Sequence, residues 1–204
     1  IEADMEPKPI AELEEYKAAG KLENKVALIT GGDSGIGRAI AILYAKEGAN
    51  VAIGYYDEHQ DAEDTVNRLQ EMGVKAKAYA HDLKDEKQSQ KLIKDVINDF
   101  GSLNIFVNNG GVQFPRDHFE DITPQQVKES FMTNIFGMMF LSQAAVPYLS
   151  EGDTIINTTS VTAYRGSGHL IDYSATKGAI VSFTRSLATT EALLILSKNV
   201  QAVN

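Results

Sequence analysis

The sequence predicts an α/β fold, a doubly wound parallel sheet covered by helices on both faces in three α/β/α layers. Beyond residue 24, short apolar runs alternate with longer amphipathic segments. The apolar runs are nearly continuous in Val, Ile and Leu, as is typical of strands buried on both faces of a parallel sheet. Because crossovers between parallel strands are right-handed, ligand sites are expected at the carboxyl ends of the strands.

The predicted elements follow one another in strict alternation. The strands are five apolar runs, at residues 25–30, 50–55, 74–80, 103–108 and 153–160, and the helices cover residues 35–47, 61–72, 85–100, 123–148 and 173–196. Thr123 and Asp85 carry side chains that cap helix N-termini, and Gln126 and Gln88 are expected to complete capping boxes. Glycines at 48, 73 and 101 follow three of the helices, where a left-handed residue commonly ends a helix.

The length and composition predict one domain preceded by an arm. With 204 residues, 43% of them hydrophobic, the chain can bury a single core over residues 25–204. Residues 1–24 are acidic, are interrupted by Pro7 and Pro9, and contain no apolar stretch like a secretory signal or membrane span. We therefore expect an extended N-terminal arm and a cytoplasmic protein.

Charge and residue counts argue against several classes of partner. The 28 acidic and 19 basic residues give a formal charge of -9, which repels nucleic acid and gives no attraction to anionic membranes. The chain has no cysteine, so it has no disulfide and no thiolate metal site. The four histidines show no paired metal-ligand spacing, and no metal is expected; they are His59, His81, His118 and His169.

A glycine-rich loop, Gly31–Gly37, joins the first predicted strand to the first predicted helix. Its glycines at 31, 35 and 37 allow a tight turn and a close backbone approach, so the amides at the helix N-terminus can bind a pyrophosphate. No Gly-Lys-Ser/Thr follows, which disfavours a P-loop. The alternative is a turn without a ligand. The expected cofactor contacts in this loop are Gly31, Asp33, Ser34, Gly35, Ile36 and Gly37.

Two other strand ends carry polar or small residues at the same predicted sheet edge. Residues 81–83 (His-Asp-Leu) follow the third strand, and residues 108–111 (Asn-Asn-Gly-Gly) end the fourth. We expect this edge to hold the adenine and ribose half of a dinucleotide, through Asp82, Leu83, Asn109 and Gly110. Ordinary turn chemistry is the alternative explanation for these residues.

The residues that close the second strand bear on the choice between NAD and NADP. Residues 53–58 contain no lysine or arginine, whereas Asp33, Asp57 and Glu58 make the local field negative. Such a field disfavours the additional phosphate of NADP, so NAD is the preferred cofactor. Tyr55 occupies the position where a ribose-binding carboxylate is expected.

Tyr173 and Lys177 lie four residues apart on a predicted helix, so their side chains share one face. A free tyrosine has a pKa of about 10, and it can act as a general base near neutral pH only beside a positive charge. Lys177 supplies that charge. The pair therefore predicts proton transfer to or from a substrate hydroxyl, and an exposed stacking pair is the alternative.

These segments together resemble the short-chain dehydrogenase/reductase family, which has a Rossmann fold; the residues that carry the resemblance are Thr30–Gly37, Asn108–Gly111, Asn134, Ser160 and Tyr173–Lys177. The arm and residues 155–160 are more similar to the bacterial general-stress and glucose/ribitol dehydrogenase-like subgroup. The resemblance implies hydride transfer between NAD or NADP and an alcohol or carbonyl substrate, such as a sugar, a polyol or a small carbonyl compound.

The resemblance also implies roles for individual residues. Ser160 would hold the substrate oxygen, Tyr173 would exchange its proton, and Lys177 would bind the nicotinamide ribose. Asn134 would hold a water that links Lys177 to solvent, and the assembly would be a homotetramer. The likeness extends from about Lys21 to Leu187, and the C-terminal part of the usual family domain, with its substrate lid and last strand, is expected to be missing. The alternative function is a dinucleotide-binding or sensing protein without turnover.

Overall fold

A six-stranded parallel sheet forms the centre of the protein. The computed structural model describes residues 5–7, 9–13, 15–190 and 200–203, the last four by their backbone alone. The strands lie side by side in the order β3-β2-β1-β4-β5-β6. Their bounds are β1 Val26–Thr30, β2 Asn50–Tyr55, β3 Ala76–Ala80, β4 Ile105–Asn108, β5 Thr154–Thr158 and β6 Val200–Val203. The predicted doubly wound fold is confirmed, and its order reverses between β1 and β4, where a crevice for ligands is expected.

Seven α-helices connect or follow the described strands. They are α1 Gly35–Lys46, α2 His59–Glu71, α3 Glu86–Phe100, α4 Pro124–Phe131, α5 Gly137–Ala145, α6 Thr162–Arg165 and α7 Ile171–Leu187. The sequence did not predict the short α6. The predicted helix over 173–196 begins two residues earlier, and residues 191–196 of it lie outside the described part of the chain.

The helix predicted over residues 123–148 is helical from Pro124 to Tyr148, but it is not α-helical throughout. A π-helical turn, Met132–Phe136, separates α4 from α5, and the 3-10 turn Val146–Tyr148 ends the segment. Pro147 has no amide hydrogen to donate within an α-helix, which explains the end. The π-helical turn places Asn134 at the point where the helix is locally widened, a feature that often accompanies functional sites.

The core consists of two large apolar clusters, one on each face of the sheet. On the face covered by α1 and α2, Ile29, Val51 and Ile53 are fully buried against Ala41 and Leu69. On the face covered by α3 and α5, Leu28, Phe106 and Ile155 pack with Leu92, Ile93 and Leu141. Each such side chain contributes roughly 1.5–3 kcal/mol through burial. The central strands are therefore held from both sides, and their carboxyl ends form a fixed edge.

Two predicted N-caps are confirmed, but the capping boxes are not. Thr123 Oγ1 accepts a hydrogen bond from the Gln126 amide at 3.1 Å, and Asp85 accepts from the amides of Lys87 and Gln88. The Gln126 side chain instead donates to the Phe114 carbonyl at 3.0 Å. Gln88 Oε1 accepts from the amide of Asp82, outside the helix, and Gln88 Nε2 donates to the Asp85 carboxylate rather than pairing with the Asp85 amide. A tertiary partner therefore took the Gln126 side chain, whereas the Gln88 side chain stays bonded within its own segment.

The segment before β1 is held to the domain by a buried carboxylate at the end of α1. The Glu47 side chain, 5% exposed, accepts hydrogen bonds from the Tyr16 hydroxyl, from the Lys21 amide at 2.8 Å and from the Ala19 amide at 3.1 Å. The Tyr16 hydrogen bond is the main reason why the pKa of Glu47 lies below 4.5. The division of the chain into an arm, 1–24, and a domain, 25–204, stays a prediction.

We expect Glu47→Gln to loosen residues 15–24, because an amide nitrogen would replace one of the two oxygens that accept these hydrogen bonds. Glu12, earlier in the segment, keeps its ion pairs with Lys46 and Arg68. Hydrogen exchange at residues 15–24 should accelerate, while exchange in β1 and β4 should not. Glu63→Gln, on the exposed side of α2, is the matched control. Because the folded pKa of Glu47 is lowered, attachment is complete above the ordinary carboxyl pKa and is lost as the pH falls through the folded value. Unchanged exchange in Glu47→Gln would refute this anchor.

Across the described residues, none of the helices combines the length and the apolar character needed to cross a membrane.

Candidate active site

A cavity of about 530 Å³ opens at the carboxyl ends of the strands. Its volume lies in the range of small-molecule and cofactor sites. Eleven of the predicted site residues line it: Gly31, Asp33, Ser34, Ile36, Tyr55, Asp82, Leu83, Asn109, Gly110, Tyr173 and Lys177. The structure therefore brings together side chains from the first four strand ends and from α7.

The glycine-rich loop is built by close backbone packing. A Cβ atom at Gly37 would lie 1.9 Å from the carbonyl oxygen of Gly31, so no side chain fits there. Gly31 has φ +61, in the left-handed region that favours glycine. Gly35 and Gly37 are not among the residues that line the cavity; they shape the turn that lies beside it. The loop is thus fixed by sterics before any ligand binds.

The end of β4 fixes this loop from the other side. The Asn109 side chain donates to the carbonyls of Thr30, at 3.2 Å, and Gly31, at 3.3 Å. In return, Thr30 Oγ1 accepts from the amides of Asn109 and Gly110. Asn108 points into the fold, where it donates to Asn157 Oδ1 at 2.9 Å. The Asn-Asn pair therefore has two different structural roles at the crevice between β1 and β4.

Lys177 is a buried amine at the wall of the cavity. It is 4% exposed, its Nζ donates to the carbonyl of Thr158 at 3.0 Å, and it lies 5.3 Å from the centroid of the Tyr173 ring. Burial lowers the pKa of Lys177 to about 8. An ammonium has three donors, and this hydrogen bond uses one of them. Tyr173 and Lys177 thus meet in one cavity, as the helical spacing predicts.

The first turn of α7, which carries Tyr173, is fastened to α4 through Asp172. This carboxylate is 5% exposed and accepts hydrogen bonds from Ser130 Oγ at 2.5 Å and from Gln126 Nε2 at 3.2 Å. Gln126 also holds the Phe114 carbonyl, in the segment that follows β4. The position of Tyr173 is therefore set by neighbours on two other segments.

Asn134 lies beside the cavity without lining it. Its side chain forms a two-way pair with the Val112 backbone, accepting from the amide at 2.7 Å and donating to the carbonyl at 2.8 Å, and it also donates to Thr176 Oγ1. A Cβ atom at Gly111 would meet Asn134 Oδ1 at 3.0 Å and Lys177 Nζ at 3.9 Å. Asn134 thus holds the chain segment that passes Lys177.

Ser160 lies two residues beyond β5 and is likewise not among the residues that line the cavity. Its Oγ accepts hydrogen bonds from the Thr162 amide at 3.2 Å and from Thr162 Oγ1 at 3.1 Å, at the start of α6. Its chain neighbours Thr158 and Thr159 do line the cavity. The Ser160 hydroxyl retains its own hydrogen, which a substrate oxygen at the cavity edge could accept.

Further residues line the cavity that the sequence did not assign as catalytic or cofactor contacts: Tyr56, Glu58, His81, Lys84, Gly111, Val112, Gln113, Glu129, Thr133, Thr158 and Thr159. Most of them adjoin a predicted site residue, so their place at a strand end was a usable signal. Lys84 and Glu129 are different. Lys84 Nζ, in the segment after β3, lies 2.7 Å from Glu129 Oε1 on α4, and the two residues are 45 positions apart in sequence. No local pattern indicates this ion pair.

His81 is a buried histidine at the floor of the cavity. It is 5% exposed, and its ring lies against β2, where a Cβ atom at Gly54 would approach the imidazole Cε1 to 2.6 Å. Burial lowers the pKa of His81, so the ring is neutral at physiological pH. Within the described residues, no group of histidines and carboxylates could hold a metal ion.

The fold and the glycine-rich loop are those of the Rossmann class of dinucleotide-binding α/β proteins. Residues 25–197 match the short chain dehydrogenase family, and the chain belongs to that family. The resemblance predicted from the sequence is thereby confirmed.

Similar proteins narrow the placement within the family. The chain is 50% identical over 188 residues to general stress protein 39 of Bacillus subtilis, covering 92% of this chain and 66% of that one. It is 42% identical over 205 residues to the glucose and ribitol dehydrogenase of Daucus carota, covering 97% and 68%. Thus the chain spans about two thirds of these relatives' length, and the predicted subgroup is confirmed.

A solved structure shows the same arrangement of strands and helices. A short chain dehydrogenase from Burkholderia cenocepacia J2315, in complex with NADP, superposes with a TM-score of 0.80 at 34% identity, covering 82% of this chain and 69% of that one.

Proposed function

We propose that this chain carries the cofactor and acid/base site of an NAD(P)-dependent oxidoreductase that acts on CH-OH groups. The observation that carries the proposal is the buried Lys177 amine beside Tyr173, in the same cavity as the glycine-rich loop. A buried lysine with one carbonyl partner is costly to keep, and sites of perturbed pKa in a cavity favour a functional role.

The residues of the cavity fit a dinucleotide. The turn at Gly31 and Gly37 excludes a Cβ atom and brings the start of α1 to the cavity, which suits a pyrophosphate at a helix N-terminus. Tyr55, Asp82 and Leu83 would contact the adenosine half, and Asn109 and Gly110 the middle of the cofactor. Tyr173 and Lys177 would lie at the nicotinamide, with Lys177 donating to its ribose.

In the proposed mechanism, a nicotinamide dinucleotide held by the glycine-rich loop and Lys177 would supply the hydride acceptor for alcohol oxidation and the hydride donor for carbonyl reduction. Tyr173 takes the hydroxyl proton of the alcohol, or gives it back to the carbonyl oxygen. The ammonium of Lys177, 5.3 Å from the ring centroid, would stabilise the negative charge that develops on the Tyr173 oxygen during proton transfer. Ser160 would hold the substrate oxygen, and Asn134 would hold the water through which Lys177 exchanges protons with solvent.

The substrate proposed is a sugar, a polyol or a small carbonyl compound, as the names of the carrot relative and its subgroup suggest. NAD is proposed as the preferred cofactor, because acidic residues dominate the cavity near the end of β2. The relative that binds NADP shows that the family accommodates that cofactor as well. A cytoplasmic homotetramer completes the proposal.

The test is nicotinamide absorbance at 340 nm with a panel of polyols, aldoses and aldehydes, using the full-length protein and either cofactor. We expect turnover with at least one member of the panel in each direction of the reaction. Calorimetry with NAD⁺ provides the independent measurement. Tight binding without turnover across the panel would favour a sensing protein, and absence of both would contradict the proposal.

A further inference from the structure

A lysine distant in sequence from β2 lies beside the residue that follows this strand. Lys84 Nζ, in the loop between β3 and α3, is 5.9 Å from the centroid of the Tyr56 ring. It is also 2.7 Å from Glu129 Oε1 on α4 and 3.8 Å from Asp82 Oδ2. Lys84, Tyr56, Asp82 and Glu129 all line the cavity. The segment 53–58 has no basic residue of its own, and the fold supplies one here.

The charges along the described lining make this lysine distinctive. Among the described residues that line the cavity, the lysines and arginines are Lys84 and Lys177, and Lys177 lies beside Tyr173. Lys84 is thus the lining cation near the ends of β2 and β3. The carboxylates of the lining are Asp33, Glu58, Asp82 and Glu129. The pKa of Lys84 is raised mainly by its hydrogen bond to Glu129 and also by the charge of Asp82, so the amine is charged at neutral pH.

The end of the second strand is where a Rossmann-type site contacts the ribose next to adenine. A carboxylate there suits the 2′-hydroxyl of NAD, and a cation suits the 2′-phosphate of NADP. A phosphate carries nearly two negative charges, so it gains from a free ammonium and loses from each nearby carboxylate. The state of Lys84 therefore bears directly on which dinucleotide the cavity prefers.

We infer that the Lys84–Glu129 ion pair sets the choice between NAD and NADP; the inference rests on the proposed dinucleotide site. Glu129 holds the ammonium and cancels its charge, so a 2′-phosphate meets a field dominated by Glu58 and Asp82. NAD has no such phosphate and is bound without breaking the pair. Without the Glu129 charge, Lys84 becomes available to the 2′-phosphate, and the preference shifts towards NADP.

The test is the ratio of dissociation constants for NADP⁺ and NAD⁺, measured by calorimetry on the full-length protein. Glu129→Gln should lower that ratio about tenfold, by releasing the ammonium, and Lys84→Met should raise it about tenfold, by removing the cation. Both groups are partly exposed, so both shifts should shrink in about 0.5 M NaCl, where such charges are screened.

The controls are Lys91→Met and Asp95→Asn. These residues form an exposed ion pair on α3, outside the cavity lining, and the substitutions make the same changes of charge. Their ratios should stay within about twofold of the wild type, as expected for exposed charges away from a site. If the two cavity variants bind nucleotide and do not shift the ratio in opposite directions, the inference is wrong. If the wild type binds neither nucleotide, the proposed function itself fails.

Discussion

Replacing Tyr173 with phenylalanine is expected to lower turnover by about three orders of magnitude or more while cofactor affinity changes by less than about twofold. The substitution removes one oxygen atom and keeps the ring that packs beside Lys177. General acid/base groups contribute about 10²–10⁴-fold to rate, and the loss should appear in kcat rather than in KM. The fold should be unaffected, since Tyr173 is held in place through its helix.

The measurement combines steady-state kinetics with calorimetric binding of NAD⁺. Tyr148→Phe makes the same chemical change outside the cavity, at a tyrosine that is 41% exposed, and should retain full turnover. The pH profile offers a further check. If Tyr173 transfers the proton, the residual rate of Tyr173→Phe should lose the pH dependence of the wild type. Full turnover in this variant would remove Tyr173 from the mechanism.

The fold could be predicted from the sequence because its signals are local. Five strands appear as short segments that are mostly apolar or centred on apolar residues, and Gly48, Gly73 and Gly101, all with positive φ, end the first three helices as expected. Where a local pattern and a tertiary contact competed for the same side chain, the tertiary contact formed. The Gln126 side chain gained two partners, Phe114 and Asp172, in place of its expected role in a capping box. A pattern of four residues contains no information about such distant partners.

The candidate site was predictable to the extent that its residues occupy the ends of strands. The Tyr173 and Lys177 pair also follows from helical spacing, because i and i+4 share a face. The Lys84–Glu129 pair could not be inferred, because it joins two elements whose relative position depends on the whole sheet. The Asn134–Val112 pair is similar, since it needs the π-helical turn that widens the helix locally. Sequence thus indicates residues on the same element more readily than contacts between elements.

Replacing Lys177 with methionine should lower turnover by about two orders of magnitude or more and, at neutral pH, stabilise the fold. The activity is lost because no ammonium remains to stabilise the negative charge that develops on the Tyr173 oxygen during proton transfer. The stability is gained because the side chain, only 4% exposed, is charged at neutral pH at a desolvation cost. A drop in pKa from 10.5 to about 8 corresponds to a cost of roughly 3 kcal/mol.

The sign of the pH dependence follows from that lowered value. Because the pKa of Lys177 is lower in the folded state, the side chain causes no desolvation cost above pH 10.5, where it is neutral whether the protein is folded or unfolded. Stability is lost as the pH falls from 10.5 through about 8, and below that value the loss is complete. Methionine avoids this loss but leaves the Thr158 carbonyl without its hydrogen bond, which costs about 1 kcal/mol. The net gain at pH 7 is therefore about 2 kcal/mol, or a rise in Tm of about 4–8 °C.

Thermal unfolding of both proteins at pH 7, 8.5 and 10 measures this balance, because the advantage of Lys177→Met should shrink as the pH rises towards 10.5. Lys128→Met, at an exposed position on α4, is the matched control and should change neither Tm nor turnover. A variant that is less stable than the wild type at every pH would mean that Lys177 is not a costly buried charge. Retained turnover would mean that Tyr173 works without it. Lower turnover together with a higher Tm is the result expected for a residue that serves catalysis at the expense of stability.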